Sequence, residues 1–127
     1  MPQLSILVID DEAIWHKLLQ RLLRPMGYAL YSAANGADGV RLAERYKPDC
    51  ILLDFHLADG DAVAVCSALK TNGAVNKIPV IIVSSDPAVE LAAYAECGAE
   101  RFVLKGPRWL KCLLAALESV MPPAGKA

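Results

Sequence analysis

The chain has 127 residues, 55% of them hydrophobic and 21% charged, with a formal net charge of −1. That length holds a single core and that apolar share excludes a disordered chain, while no apolar run reaches the roughly 18–20 residues a bilayer span requires. Lys and Arg are spread rather than gathered and the start Met-Pro-Gln-Leu-Ser has no basic leader, so a soluble cytoplasmic protein is expected, with neither nucleic acid nor membrane as a direct partner.

In chain order, Leu4 to Ile9 reads as a strand and empties into Asp10-Asp11-Glu12. Trp15 follows as a helix-surface or boundary aromatic. Ala29 to Ala33 is the second strand; Cys50 to Leu53 is the third and ends at Asp54. Asp61 and Asn72-Gly73 frame a helix as N-cap and stop. Pro79 to Val83 is the fourth strand, ending at Ser84-Ser85. Asp86-Pro87 then reads as an N-cap with first-turn proline and Gly98 as the stop of a helix from Pro87 to about Cys97. Phe102 to Leu104 is the fifth strand and ends at Lys105. From Pro107, Leu110, Leu113, Leu114, Leu117, Val120 and Met121 repeat at helical spacing until Pro122-Pro123. Strands alternating with helices predict parallel βαβ units, and the near-continuous Ile, Leu and Val of the first, third and fourth runs place these at the sheet centre, covered on both faces. One domain over residues 1–121 and a short flexible tail over 122–127 are expected. Cys50, Cys66, Cys97 and Cys112 lack metal-ligand spacing and read as buried or half-buried thiols, with a redox role as the minor alternative.

Ligand sites of open parallel sheets lie beyond the carboxyl ends of the strands. Here those ends deliver Asp10, Asp11, Glu12, Asp54, Ser84, Ser85 and Lys105 to one rim. Carboxylates crowded together raise one another's pKa unless a cation compensates, and a hard divalent ion such as Mg²⁺ suits such oxygens. A carboxylate can also attack phosphorus, with a lysine and a hydroxyl binding the transferred phosphoryl oxygens. Singly, Asp10, Asp11 or Asp54 could each be a loop residue or N-cap; together with Ser84 and Lys105 they point to a site.

The order acidic pair, lone Asp, Ser, Lys, each at a strand end, resembles the receiver domains of two-component response regulators across nearly the whole chain. The matching stretches are Val8-Ile9-Asp10-Asp11-Glu12, Leu52-Leu53-Asp54-Phe55-His56-Leu57, Val83-Ser84-Ser85 and Phe102-Val103-Leu104-Lys105, with 30 residues from Asp54 to Ser84 and 21 on to Lys105. The resemblance implies a doubly wound five-stranded parallel sheet in flavodoxin-like order 2-1-3-4-5 with five helices. It makes Asp54 the phosphoacceptor, and it makes Asp10, Asp11, Asp54 and the backbone carbonyl of His56 the Mg²⁺ ligands. Ser84 and Lys105 become the phosphoryl-binding groups, Ser84 and Phe102 the switch pair, and His56 and Asp86 the positions that tune hydrolysis. It implies a signalling domain that promotes its own phosphorylation and dephosphorylation rather than a conventional enzyme. Its expected partners are a histidine kinase or histidine phosphotransfer protein and an output protein or domain, or a second copy through the face of the fourth helix, fifth strand and fifth helix. Trp109 reads either as an anchor on that face or as a residue packed over the core margin.

Three positions depart from the family pattern. Ala58 stands where Pro is usual, Ala62 where Gly is usual, and Lys105-Gly106-Pro107 where Lys-Pro, often with a cis bond, is usual. Two other functions share this fold class: a pseudo-receiver that binds without phosphorylation, and a flavodoxin-like cofactor binder, against which the acidic first loop argues.

Overall fold

The computed structural model describes residues 3–121, so Pro122-Pro123 and the expected tail over 122–127 lie outside the described residues. Five parallel strands form the sheet: β1 (Ser5–Ile9), β2 (Ala29–Ala33), β3 (Cys50–Asp54), β4 (Val80–Ser84) and β5 (Arg101–Leu104). Their order is β2-β1-β3-β4-β5, as the resemblance implies. Five α-helices connect or follow them: α1 (Ala13–Leu23), α2 (Gly36–Tyr46), α3 (Ala62–Lys70), α4 (Glu90–Ala95) and α5 (Trp109–Val120).

Side chains alternate across a strand, so each central strand feeds two cores. Ile6, Val8, Leu52, Ile81 and Val83 pack with Trp15, Leu19, Leu113 and Leu117 of α1 and α5. Leu7, Ile9, Ile51, Leu53 and Ile82 pack on the opposite face with Ala43, Val65, Cys66, Leu69 and Ala93 of α2, α3 and α4. Gly39 lets α2 lie on β1, since a Cβ there would fall inside the Ile9 side chain.

The structure corrects several local expectations. The segment from Pro87 is not one helix: Pro87–Val89 forms a 3₁₀ turn before the six-residue α4, which ends before Cys97. The last helix starts at Trp109, with Pro107 and Arg108 in a turn. Every peptide bond among the described residues is trans. Cys112 is exposed, unlike the buried Cys50, Cys66 and Cys97. Trp15 is a core residue, 8% exposed, rather than a helix-surface or boundary aromatic.

The loop holding Ala58 and Ala62 has its own fastening. His56–Leu57 and Gly60–Asp61 pair antiparallel as a tight hairpin, which Gly60 permits with φ 144°. Asp59 sits at its tip and accepts from the Gly36 and Ala37 amides at 2.9 and 3.1 Å, tying the loop to the start of α2. Those two hydrogen bonds hold the Asp59 carboxyl below its ordinary pKa. Ala62 is fully buried and its amide donates to the Phe55 carbonyl at 2.8 Å, so its methyl group is accommodated.

Candidate functional site

β1 hands its last amide bond to Asp10, whose N–H donates to the Ala33 carbonyl at 3.0 Å, so this carboxylate is fixed at the strand end and 1% exposed. Asp10 Oδ1 accepts from the Glu12 amide at 2.9 Å, and the His16 Nε2 donates to the Asp10 carbonyl at 2.6 Å. Asp54 is the last residue of β3, in register with Val83, and Ser84 is the last residue of β4. Lys105 follows β5 and its amide donates to the Ser84 carbonyl at 2.8 Å. Four segments therefore bring their polar ends to one rim.

The carboxylates that meet are those of Asp10, Glu12 and Asp54, whose ligand oxygens lie within 4.8 Å of one another. Asp11 is exposed and stands outside this group, although its charge is still felt at Asp54. Lys105 Nζ donates to Asp10 Oδ2 and Glu12 Oε1, both at 2.8 Å, and lies 3.9 Å from Asp54 Oδ2. Burial pushes the Asp54 carboxyl up to about 6, with the Asp10 charge adding to it and the Lys105 ammonium opposing it. Burial alone would pull the Lys105 ammonium down; its hydrogen bonds to Asp10 and Glu12, together with the charges of Asp10 and Asp54, outweigh that and hold it above the ordinary lysine value. The donors are all hard oxygens around an excess of negative charge, which fits Mg²⁺.

Ser84 is buried and its Oγ accepts from the Asp86 amide at 3.1 Å. Asp86 caps the Pro87 turn through the Ala88 amide at 2.9 Å and also meets His56 Nε2 at 3.2 Å. The first contact and then the second lower the Asp86 pKa. The two residues assigned to rate tuning are thus in contact across the mouth of the site. Phe102 is half-buried on β5, and its amide donates to the Tyr94 hydroxyl of α4 at 3.1 Å. Trp109 is half-buried against Trp15, with ring centroids 4.7 Å apart.

The sequence places Glu12 on the rim and Trp15 on the helix after it, but assigns neither a role in the site. Glu12 was visible only as the third member of an acidic run. Trp15 carried a weaker signal still, its position one helical turn after that run.

A doubly wound sheet with carboxylates, an ammonium and a hydroxyl at the carboxyl ends of its strands defines a receiver-type signalling domain. Residues 6–117 match the family model described as "Response regulator receiver domain", and the chain belongs to that family. It is 32% identical over 121 residues to transcriptional regulatory protein PrrA of Mycobacterium tuberculosis, covering 94% of this chain and 51% of PrrA. It is 28% identical over 119 residues to response regulator MprA of Mycobacterium leprae, covering 93% and 51%. The chain therefore spans about half the length of these curated relatives. Among solved structures it resembles chemotaxis response regulator CheY4 of Vibrio cholerae, with TM-score 0.83, 20% identity and coverage of 94% and 100%. It also resembles the receiver domain of sensor histidine kinase PA1611 of Pseudomonas aeruginosa, a structure with a magnesium ion in its active-site cleft, with TM-score 0.79, 20% identity and coverage of 94% and 98%. No described helix is long and apolar enough to cross a membrane.

Proposed function

We propose that this chain is a phosphorylation-dependent switch in which Asp54 accepts a phosphoryl group from a histidine kinase, a histidine phosphotransfer protein or a small phosphodonor. The observation that carries the reading is the placement of a buried Asp54 carboxylate 3.9 Å from the Lys105 ammonium on a rim it shares with Asp10, Glu12 and Ser84. An Asp54 oxygen attacks phosphorus as the donor's leaving group departs. Lys105 turns from Asp10 and Glu12 toward the phosphoryl oxygens. Ser84 already accepts from the Asp86 amide and keeps its hydroxyl proton to donate to one of them. Asp10, Asp11, Asp54 and the His56 carbonyl are the groups assigned to Mg²⁺. When bound, the ion supplies neutralisation of the charge on the carboxylates and phosphoryl oxygens.

The function is tested by incubating the protein with acetyl phosphate. A mass gain of one phosphoryl group is expected with Mg²⁺ and none with EDTA; no gain under either condition would leave the pseudo-receiver reading.

The metal assignment separates neighbouring carboxylates. Asp11→Asn is expected to weaken Mg²⁺ binding by roughly tenfold, about 1.4 kcal/mol, whereas Glu12→Gln changes it little because that side chain is more than half exposed and already engages Lys105. Titration by calorimetry checks both, and the reverse ranking would move the ligand role to Glu12.

Hydrolysis should respond to the His56–Asp86 contact. An Asp86 carboxylate orients an attacking water, and the imidazole in contact with it restrains that carboxylate. Changing both to Ala is expected to alter the dephosphorylation rate several-fold while phosphorylation persists; an unchanged decay of the phosphorylated species would remove both from rate tuning.

The signal leaves through Ser84, Phe102 and the α4–β5–α5 face. Leu91, Tyr94 and Leu104 are exposed on that face, and they suit a second copy or an output protein. We place the protein in the cytoplasm, where histidine kinases present their phosphoryl groups.

A further inference from the structure

The Lys105 ammonium meets an aromatic ring as well as its carboxylate partners. Its Nζ lies 4.8 Å from the centroid of the Trp15 ring, within the range of an attractive cation–π contact. Both side chains are largely withdrawn from water: Trp15 is 8% exposed and the Lys105 side chain 10%. In such a place the ring's negative face holds a cation more firmly than it would on the surface. Trp15 arrives there because α1 begins immediately after the acidic run. It occupies the first turn, its amide donating to the Glu12 carbonyl at 3.1 Å, and helical side chains lean toward the N-terminus, here toward the end of β1.

Trp15 is in turn braced. Its ring meets that of Trp109 at an interplanar angle of 58°, and Trp109 is the first residue of α5. The Lys105-Gly106-Pro107 turn sets that position: the Gly106 amide bonds back to the Leu104 carbonyl at 2.8 Å and the Trp109 amide to the Gly106 carbonyl at 3.0 Å. The departure from the direct Lys-Pro pattern thus ends in an indole tilted against the ring that faces the ammonium.

We propose that Trp15 is a positioning residue for Lys105, its indole face carrying the ammonium beside the carboxylates while Trp109 braces it from α5. The role rests on the function proposed above, because the group being positioned is the one that meets the phosphoryl oxygens. Asp10 and Glu12 attract the ammonium but leave a four-carbon chain free to swing outward with Glu12, whose side chain is 56% exposed. The ring closes that route and leaves Asp54 as the near alternative partner.

Two variants and one spectrum test this. Trp15→Phe keeps an aromatic face, whereas Trp15→Met fills space with a flexible apolar chain and has none. In wild type the Lys105 ε-methylene resonances should be displaced upfield by the indole ring current; the displacement should persist in part in Trp15→Phe and vanish in Trp15→Met. Phosphorylation by acetyl phosphate at saturating Mg²⁺ should fall roughly tenfold in Trp15→Met and about threefold or less in Trp15→Phe, a gap of about threefold or more, which is at least the lower range of a cation–π contact. Similar melting temperatures for the two variants would assign that difference to the ring face rather than to packing. Unshifted Lys105 resonances in wild type overturn the proposal without any variant, and so do equal rates in the two variants. A wild type that takes no phosphoryl group overturns the function proposed above, and the resonances alone then decide whether Trp15 positions Lys105.

Discussion

Asp54→Asn is expected to take up no phosphoryl group from acetyl phosphate and to melt about 5–10 °C above wild type at pH 7.5 without Mg²⁺. The first effect follows from removing the attacking oxygen. The second follows from the direction in which the carboxyl is shifted. Its pKa stands near 6 in the folded protein against 3.8 for an ordinary aspartate, so the folded state holds this proton more tightly than the unfolded chain does. Stability therefore falls as pH rises from about 4 to about 6, and above that range the full cost of an ionised Asp54 is present. A shift of this size corresponds to about 3 kcal/mol, a net figure that already includes the attraction to Lys105, and Asn as an imperfect stand-in for the neutral carboxyl should recover about 2 kcal/mol of it. Below pH 4 the two proteins should melt alike, because wild type is then protonated in both states. Added Mg²⁺ should raise the wild-type melting temperature and leave the variant nearly unmoved, since only wild type offers the ion the full set of charges. Thermal melts at pH 4 and 7.5 check this, and a variant no more stable than wild type at pH 7.5 would contradict the electrostatic reading of Asp54.

Much of this arrangement was legible in the chain because the signals were local. Ile6 to Ile9, Ile51 to Leu53 and Ile81 to Val83 are apolar on both faces, which only a doubly covered sheet satisfies, and the first polar residue after each marks the rim. Strand order was not local, since periodicity places residues on faces but does not say which strands are neighbours; it came from the resemblance. The choice of Asp10 and Asp11 over Glu12 likewise came from the resemblance, and how each side chain is turned was not legible. Asp10 stays in the ladder through its bond to Ala33, and the bond from the Glu12 amide to Asp10 Oδ1 turns the chain so that Asp11 faces solvent and Glu12 reaches Lys105. Pro87 was read as a helix start, yet the Val89 amide closes on the Asp86 carbonyl and makes a 3₁₀ turn first, a choice between two hydrogen-bond registers that composition does not distinguish. Trp15 was hidden because its partner is 90 residues away in the chain.

Lys105→Met should produce the other large change, and its sign depends on what replaces the lost charge. The ammonium holds Asp10 and Glu12 by hydrogen bonds and opposes the rise of the Asp54 pKa. Removing it leaves Asp10, 1% exposed, buried beside Asp54 with no described cation in contact. Breaking a buried pair from one side costs about 3–5 kcal/mol, and at pH 7.5 the variant should pay near the lower figure because the Asp54 carboxyl then rises above 6 and takes up a proton in part. As pH falls through that higher value the cluster neutralises itself, so the gap from wild type should narrow in acid. A divalent cation should narrow it from the other side: millimolar Mg²⁺ is expected to restore most of the lost melting temperature, since the vacated charge belongs to a site of oxygens. Activity should not be restored with it. Phosphorylation by acetyl phosphate should remain roughly 10²–10³-fold slower than wild type even at saturating Mg²⁺, the usual cost of removing one preorganised group that meets developing charge. Rescue of stability without rescue of rate would assign Lys105 to the phosphoryl group itself. A variant that regained both with Mg²⁺ would show that the ammonium only balances the charge of Asp10 and Glu12.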